Sequence, residues 1–316
     1  MLMWRHFPAG GVAALLIIVL GEAWFLSTSE PLTGLPYLTP TADDATVVAK
    51  RALLSHAQGA IAFVGDSSCM MGLVPSIVEQ ESGLKVVNLG ELLSLTTVGF
   101  SQMAQDAMRQ EPPPKAIVVV VTLASLTQTH DQAVKYDITG RTLIAYGGTS
   151  SSYPLTINDW RFWFFQKHRV NIFPEKFGGS FANFQAGILE QKGYIKETGT
   201  YRKKKVFDSF PLAEYSVAPL RELVQKATER GIPVYLWWSP CPRTALTEDC
   251  ARSLPEFVKT VEQQIPGIRA PRDEVPLWAP ELFGSVHHLT EEGARRNSSE
   301  LGQLLGKEYG NGDAKQ

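Results

Sequence analysis

Ile61-Ala62-Phe63-Val64-Gly65-Asp66-Ser67-Ser68-Cys69-Met70-Met71-Gly72 is the stretch whose reading decides the fold. Four apolar residues run straight into Gly-Asp-Ser, and a helix-like segment follows. A short apolar run closed by a glycine turn before a helix reads as a buried parallel strand, with its turn at the carboxyl edge of a sheet. Open α/β sheets place their chemistry at that edge. A serine there presents its hydroxyl to solvent, beside the amides of its own turn and the next helix N-terminus, and such groups stabilise a developing oxyanion. Gly-Asp-Ser alone is a weak signal and better fits an ordinary turn, with Asp66 or Ser67 doing no more than capping the helix.

Outward from this stretch the chain alternates strands and helices. A capped helix from Thr41 or Asp43 to about His56 precedes the first strand, and a helix over Leu73–Glu81, stopped by Gly83, follows it. Lys85-Val-Val-Asn88-Leu-Gly90 is a second strand ending in Asn-x-Gly, and a helix covers Thr96–Arg109. Ala116-Ile-Val-Val-Val-Val-Thr122 is apolar enough to lie mid-sheet. The alternation resumes with a helix over Leu212–Arg230, a strand over Ile232–Trp238, a helix over Leu254–Gln264 and a short strand near Ile268. A final helix, capped by Thr290, runs to Leu305. This spacing predicts right-handed parallel crossovers in one α/β domain.

Between about 127 and 210 the pattern breaks off. The insertion carries Tyr136, Tyr146, Tyr153, Trp160, Phe162, Trp163, Phe164 and Phe165, with Lys167, His168 and Arg169 beside them. Aromatic clusters most often fill a local core. A lid over the sheet edge, or a surface for sugar rings or the membrane interface, is the functional alternative. Arg202-Lys-Lys-Lys205 reads as a solvated loop that could meet anionic headgroups.

Phe7 to Leu26 is apolar over about the 20 residues that a bilayer-spanning helix needs. Arg5 precedes it, whereas Glu30, Asp43 and Asp44 follow, so the positive-inside rule exports the remainder. No small-x-small cleavage site follows the apolar core, which favours an uncleaved anchor over a signal peptide. Residues 1–26 are then the anchor, 27–42 a linker, 43–306 the globular domain and 307–316 a disordered tail. The protein is expected in the cytoplasmic membrane with its domain in the periplasm or outside the cell. Across 316 residues the net charge of −2 gives no basic field for nucleic acid. Cys241 and Cys250 are spaced to close a short disulfide loop in an oxidising compartment. Cys69 reads as a small packing residue. No Cys/His spacing implies a metal, and no cofactor is implied.

The chain order of a Gly-Asp-Ser turn after the first strand, Asn88-x-Gly90 after the second, and His288-Leu-Thr-x-x-Gly293 opening the last helix resembles the SGNH (GDSL-type) hydrolase superfamily. That resemblance covers roughly Ile61–Leu126 and Leu212–Leu305. It implies a flavodoxin-like three-layer sandwich around a central parallel sheet. The chain looks most like exported, membrane-anchored branches that act in teichoic acid D-alanylation and in alginate or cellulose acetylation. Carried over residue by residue, the resemblance implies Ser67 as nucleophile, His288 rather than His287 as general base, and the amides of Ser67 and Gly90 as oxyanion donors. A serine hydroxyl needs an imidazole to take its proton, so the pair is chemically coherent. Two departures stand out. Ser285 replaces the aspartate that usually orients the histidine, leaving Asp273 or Glu281 to substitute, or a Ser–His dyad. Thr122-Leu-Ala-Ser125 replaces the block that usually supplies an oxyanion-hole asparagine, so only a hydroxyl could stand in.

Two functions are compatible with these residues. The first is a membrane-tethered extracytoplasmic serine esterase or O-acyltransferase acting on acyl groups of an envelope polysaccharide or polymer. The second is a non-catalytic member of the fold, an accessory or scaffold subunit of a membrane acyltransferase or polysaccharide synthase.

Overall fold

The computed structural model describes residues 42–129, 131, 181–201 and 206–310. The apolar segment 7–26, the linker before 42, the aromatic cluster within 136–169, the basic run 202–205 and the tail from 311 lie outside the described residues. Among the described residues no helix is long and apolar enough to cross a membrane.

The centre is a four-stranded parallel sheet in the order β2-β1-β3-β4. Its strands are β1 (Ile61–Gly65), β2 (Val86–Asn88), β3 (Ala116–Val121) and β4 (Val234–Trp238). Every strand residue is buried, which is why these segments read as unbroken apolar runs rather than alternating ones. Successive side chains point to opposite faces. Ala62, Val64, Val119, Leu236 and Trp238 enter one core, and Ile61, Phe63, Val118, Val120 and Trp237 enter the other.

Helices cover both faces. On the first lie α1 (Ala42–Ala52), α4 (Thr96–Met108), α6 (Glu214–Glu229) and α7 (Glu248–Gln264), which contribute Phe100, Met103, Leu220, Leu223, Leu254 and Val258. On the second lie α2 (Ser67–Gly72), α3 (Pro75–Ser82) and α8 (Glu291–Gly310), through Cys69, Val78, Leu301 and Leu305. The short α5 (Phe181–Glu190) precedes the coil that returns the insertion to the domain.

Several boundaries differ from expectation for local reasons. The chain turns helical at Ser67, because the Asp66 side chain caps α2 at once. A break at Leu73–Val74 then separates it from α3, which has proline in its first turn and ends on Gly83 in the left-handed region. The helix expected from Leu254 begins at Glu248. Thr247 caps it, and Glu248 and Asp249 fill an acidic first turn. The strand expected near Ile268 is reduced to one parallel bridge between Arg269 and Tyr235, since Pro271 just beyond cannot donate to a ladder.

Cys241 sits in the two-residue strand β5 (Cys241–Pro242), which pairs with β6 (Leu277–Trp278). The expected disulfide is not formed, and Cys241 and Cys250 are free thiols. Cys241 Sγ is turned toward the Pro242 carbonyl at 3.8 Å, while Cys250 is buried in the first turn of α7. Burial, with the neighbouring Cys250, pushes the Cys241 thiol up to about 12.

Candidate active site

Strand order reverses direction at β1, whose neighbours β2 and β3 follow it in sequence but flank it on opposite sides. Such a switch point opens a crevice at the carboxyl ends of the strands, and Asp66 and Ser67 leave β1 there.

Asp66 is 1% exposed and all its carboxylate capacity is used. One oxygen accepts from the Ser68 amide at 2.8 Å and the Ser68 hydroxyl at 2.5 Å. The other accepts from the Thr122 amide and hydroxyl, both at 3.0 Å, and from the Ser125 hydroxyl. The first set caps α2, and the second ties the turn to the end of β3. Asp66 thereby fixes where Ser67 stands. The Thr122 and Ser125 hydroxyls are committed to this tie, which corrects the expectation that one of them could serve an oxyanion.

Ser67 and His288, 221 positions apart, meet: the hydroxyl lies 2.8 Å from His288 Nε2. The ring's other nitrogen, Nδ1, is 2.7 Å from an oxygen of Glu197. An ionised carboxylate only accepts, so Nδ1 carries the proton and donates to Glu197, Nε2 is unprotonated, and the Ser67 hydroxyl donates to it. This is the hydrogen-bond order of a serine–histidine–carboxylate relay. Burial alone would raise the Glu197 carboxyl, but the Gly199 amide, the His288 ring and the Thr198 amide outweigh it, so its pKa is lowered below the ordinary value.

The orienting carboxylate is therefore Glu197, and not Asp273 or Glu281. Asp273 and Glu281 are exposed, with Glu281 in the short 3-10 turn Pro280–Leu282, and the proton on Nδ1 is donated elsewhere. Glu197 arrives in the coil after α5, 91 positions before His288. That coil is held to the domain by the Asn88 amide donating to Lys192 O (3.0 Å) and the Ile195 amide donating to Met70 O (3.1 Å). The buried Lys50 ammonium donates to the carbonyls of Asn88 (3.0 Å) and Gly193 (2.5 Å), stapling α1, β2 and the coil together. Burial lowers its pKa to about 8, against the opposing pull of Cys69 and Glu91.

Ser285, which stands three residues before His288, has a different task. Its hydroxyl accepts from the amides of His287 (3.4 Å) and His288 (3.1 Å), which turns the loop into α8. Gly284 lets Glu197 cross this loop, because a Cβ on it would stand 2.4 Å from Glu197 Cγ. Thr290 caps the start of α8, its hydroxyl accepting from the Gly293 amide at 3.3 Å. His287 stands apart from the relay, its ring centroid 6.2 Å from that of Phe207.

Of the two expected oxyanion donors, one is committed. The Gly90 amide donates to Asn88 Oδ1 at 2.9 Å, and Gly90 presses on α2 so closely that a Cβ would lie 2.7 Å from Cys69 Sγ. Asn88 in turn donates to the carbonyls of Cys69 (2.8 Å) and Leu73 (2.9 Å), clamping α2 onto β2. Asn-x-Gly here is a clamp under the nucleophile turn. The Ser67 amide, first in α2, makes no hydrogen bond among the described residues. Cys69 is fully buried in the core among Ile61, Phe63 and Leu73, a packing residue, and burial pushes its thiol up. Among the described residues, no group of His, Cys, Asp and Glu side chains is arranged to hold a metal ion.

At the carboxyl ends of β3 and β4 lies a small cleft lined by Leu123, Ala124, Phe207, Phe210, Ser239 and Val286, among others. Comparison with family models, with curated proteins and with solved structures returns no match for this chain.

Proposed function

We propose that the chain is a membrane-tethered, extracytoplasmic serine esterase or O-acyltransferase that acts on acyl groups of an envelope polysaccharide or polymer. The domain is read as a flavodoxin-like three-layer sandwich of the SGNH type, with 7–26 as its anchor and the 127–210 stretch as an insertion. The observation that carries the reaction class is the unbroken Ser67–His288–Glu197 relay. The Ser67 proton passes to His288 Nε2 as Oγ attacks an ester carbonyl. The oxyanion that forms is met by the Ser67 amide. His288 then returns its proton to the departing alkoxide, leaving an acyl group on Ser67. Water or a sugar hydroxyl, deprotonated by His288 in the same way, takes the acyl group and restores the serine. Glu197 holds the ring in its working tautomer and stabilises the imidazolium.

One observation favours the second reading, a non-catalytic scaffold subunit of a membrane acyltransferase or polysaccharide synthase. With Gly90 bonded to Asn88, the expected pair of oxyanion donors is left with the Ser67 amide alone, and one missing donor costs about 10²–10³ in kcat. A slow enzyme reconciles both facts. A fluorophosphonate probe applied to the full chain decides: covalent labelling that Ser67→Ala abolishes is expected. An unlabelled wild type, with polymer acylation unchanged in Ser67→Ala, would leave only the scaffold reading.

A further inference from the structure

The helix that opens on Ser67, α2, has only six residues, too few to hold its place by its own backbone bonds. Its C-terminal carbonyls have to be bonded from outside, and the donors come from three different elements. Cys69 O accepts from the Asn88 side chain of β2 at 2.8 Å. Met70 O accepts from the Ile195 amide at 3.1 Å, in the coil that bears Glu197. Gly72 O accepts from the Asn297 side chain of α8 at 3.0 Å, and α8 is the helix that the His288 loop enters. The carboxylate and the histidine thus both reach Ser67 on elements docked against the far end of the serine's own helix. Ser298 adds to the α8 dock, its hydroxyl accepting from the Val74 amide at 2.8 Å.

Asn297 is an amide where an apolar side chain would pack. It is 0% exposed, on a helix whose inward residues include Ala294, Leu301 and Leu305. A buried amide is costly unless both its ends are paired, and here both are. Nδ2 donates to Gly72 O, and Oδ1 accepts from Trp237 Nε1 of β4 at 3.0 Å. An indole N–H only donates and a backbone carbonyl only accepts, so the amide has one orientation. A leucine could fill the same space but would fix neither α2 nor β4. We propose that Asn297 is a positioning residue for the relay, setting the Ser67–His288 separation by locking α8 to the end of α2 and to the sheet. This rests on the serine-enzyme reading above and adds a residue that acts on the chemistry through α2, without touching substrate.

The test uses the full chain in detergent, an aryl acetate as substrate, and kcat expressed per site labelled at completion by a fluorophosphonate. Asn297→Asp keeps the shape and the acceptor facing Trp237. Ionised, the new carboxyl has no proton for Gly72 O; protonated, it has one, and burial raises its pKa. At alkaline pH this variant should lose about 10- to 100-fold in kcat with KM nearly unchanged, the effect of a slightly misplaced nucleophile. As pH falls, the ratio of variant to wild-type kcat should climb toward one, the division cancelling the titration of His288. Trp237→Phe, which removes only the N–H that orients the amide, should give a smaller kcat loss and covers the case in which Asn297→Asp does not fold. Leu305→Ala, a core truncation on the same helix, should lower the urea midpoint and keep wild-type kcat per site. Wild-type kcat in both Asn297→Asp and Trp237→Phe, a variant ratio that ignores pH, or an equal kcat loss in Leu305→Ala would each overturn the inference while leaving the serine enzyme standing. Absence of Ser67 labelling in the wild type would remove both together.

Discussion

At the scale of single residues, the site depends on two carboxylates with different tasks. Glu197 orients the histidine, one oxygen accepting from His288 Nδ1 while the other accepts from the Gly199 amide. Glu197→Gln keeps its shape but removes the charge that fixes the Nδ1 proton, so kcat should fall about 10²–10⁴-fold with KM nearly unchanged, measured on an aryl acetate. Because the Glu197 pKa is lowered, its contribution is in place above the ordinary carboxylate value and is lost only as pH falls through the lowered one. The acid limb of a pH–stability curve due to this residue should therefore lie below the usual carboxylate range and vanish in Glu197→Gln. Asp66 holds the turn instead. Asp66→Ala strands the buried amides of Ser68 and Thr122, and should cost about 3 kcal/mol or more in urea unfolding.

At the scale of elements, the relay is assembled by a crossing of two loops. Gly284→Ala would drive a Cβ into the Glu197 side chain, so kcat should drop toward the Glu197→Gln level while the urea midpoint moves far less. A comparable loss of midpoint instead would show that the crossing supports the fold rather than the relay. The strands, most of the helices and the Ser67–His288 pairing were legible in the sequence, because buried parallel strands announce themselves as apolar runs and parallel topology brings their carboxyl ends together. Glu197 was not legible. It comes from a coil at the end of an insertion with no periodicity, and nothing in Lys196-Glu-Thr-Gly199 marks a partner so far along the chain. The Asn88–Gly90 pair was visible, but its task was not. An asparagine beside a glycine can free an amide or occupy it, and only its two further bonds to Cys69 and Leu73 make it a clamp. The early start of α2 was likewise masked, since a cap is read from where a side chain turns.

At the scale of the whole molecule, Lys50 links the far helix, the edge strand and the coil that bears Glu197. Its pKa of about 8, lowered from 10.5 by burial, sets a sign for stability against pH. Below pH 8 Lys50 is charged in both folded and unfolded chains, and the burial penalty is fully felt. Between pH 8 and 10.5 the unfolded chain binds the extra proton, so this group makes stability rise with pH, by about 3 kcal/mol in all. Urea titrations across that window should show the rise in the wild type and lose it in Lys50→Met; parallel curves for the two would refute it. The three hydrogen-bonded residues are also spread along the chain in the order serine, carboxylate, histidine. A ribosome makes proteins from the N-terminus, so Ser67 is complete while the histidine that would activate it has yet to be made. Until residue 288 has emerged and α8 has docked, the serine is an ordinary alcohol. If Ser67 is the nucleophile proposed above, the growing polypeptide has no activated serine until the last helix is in place.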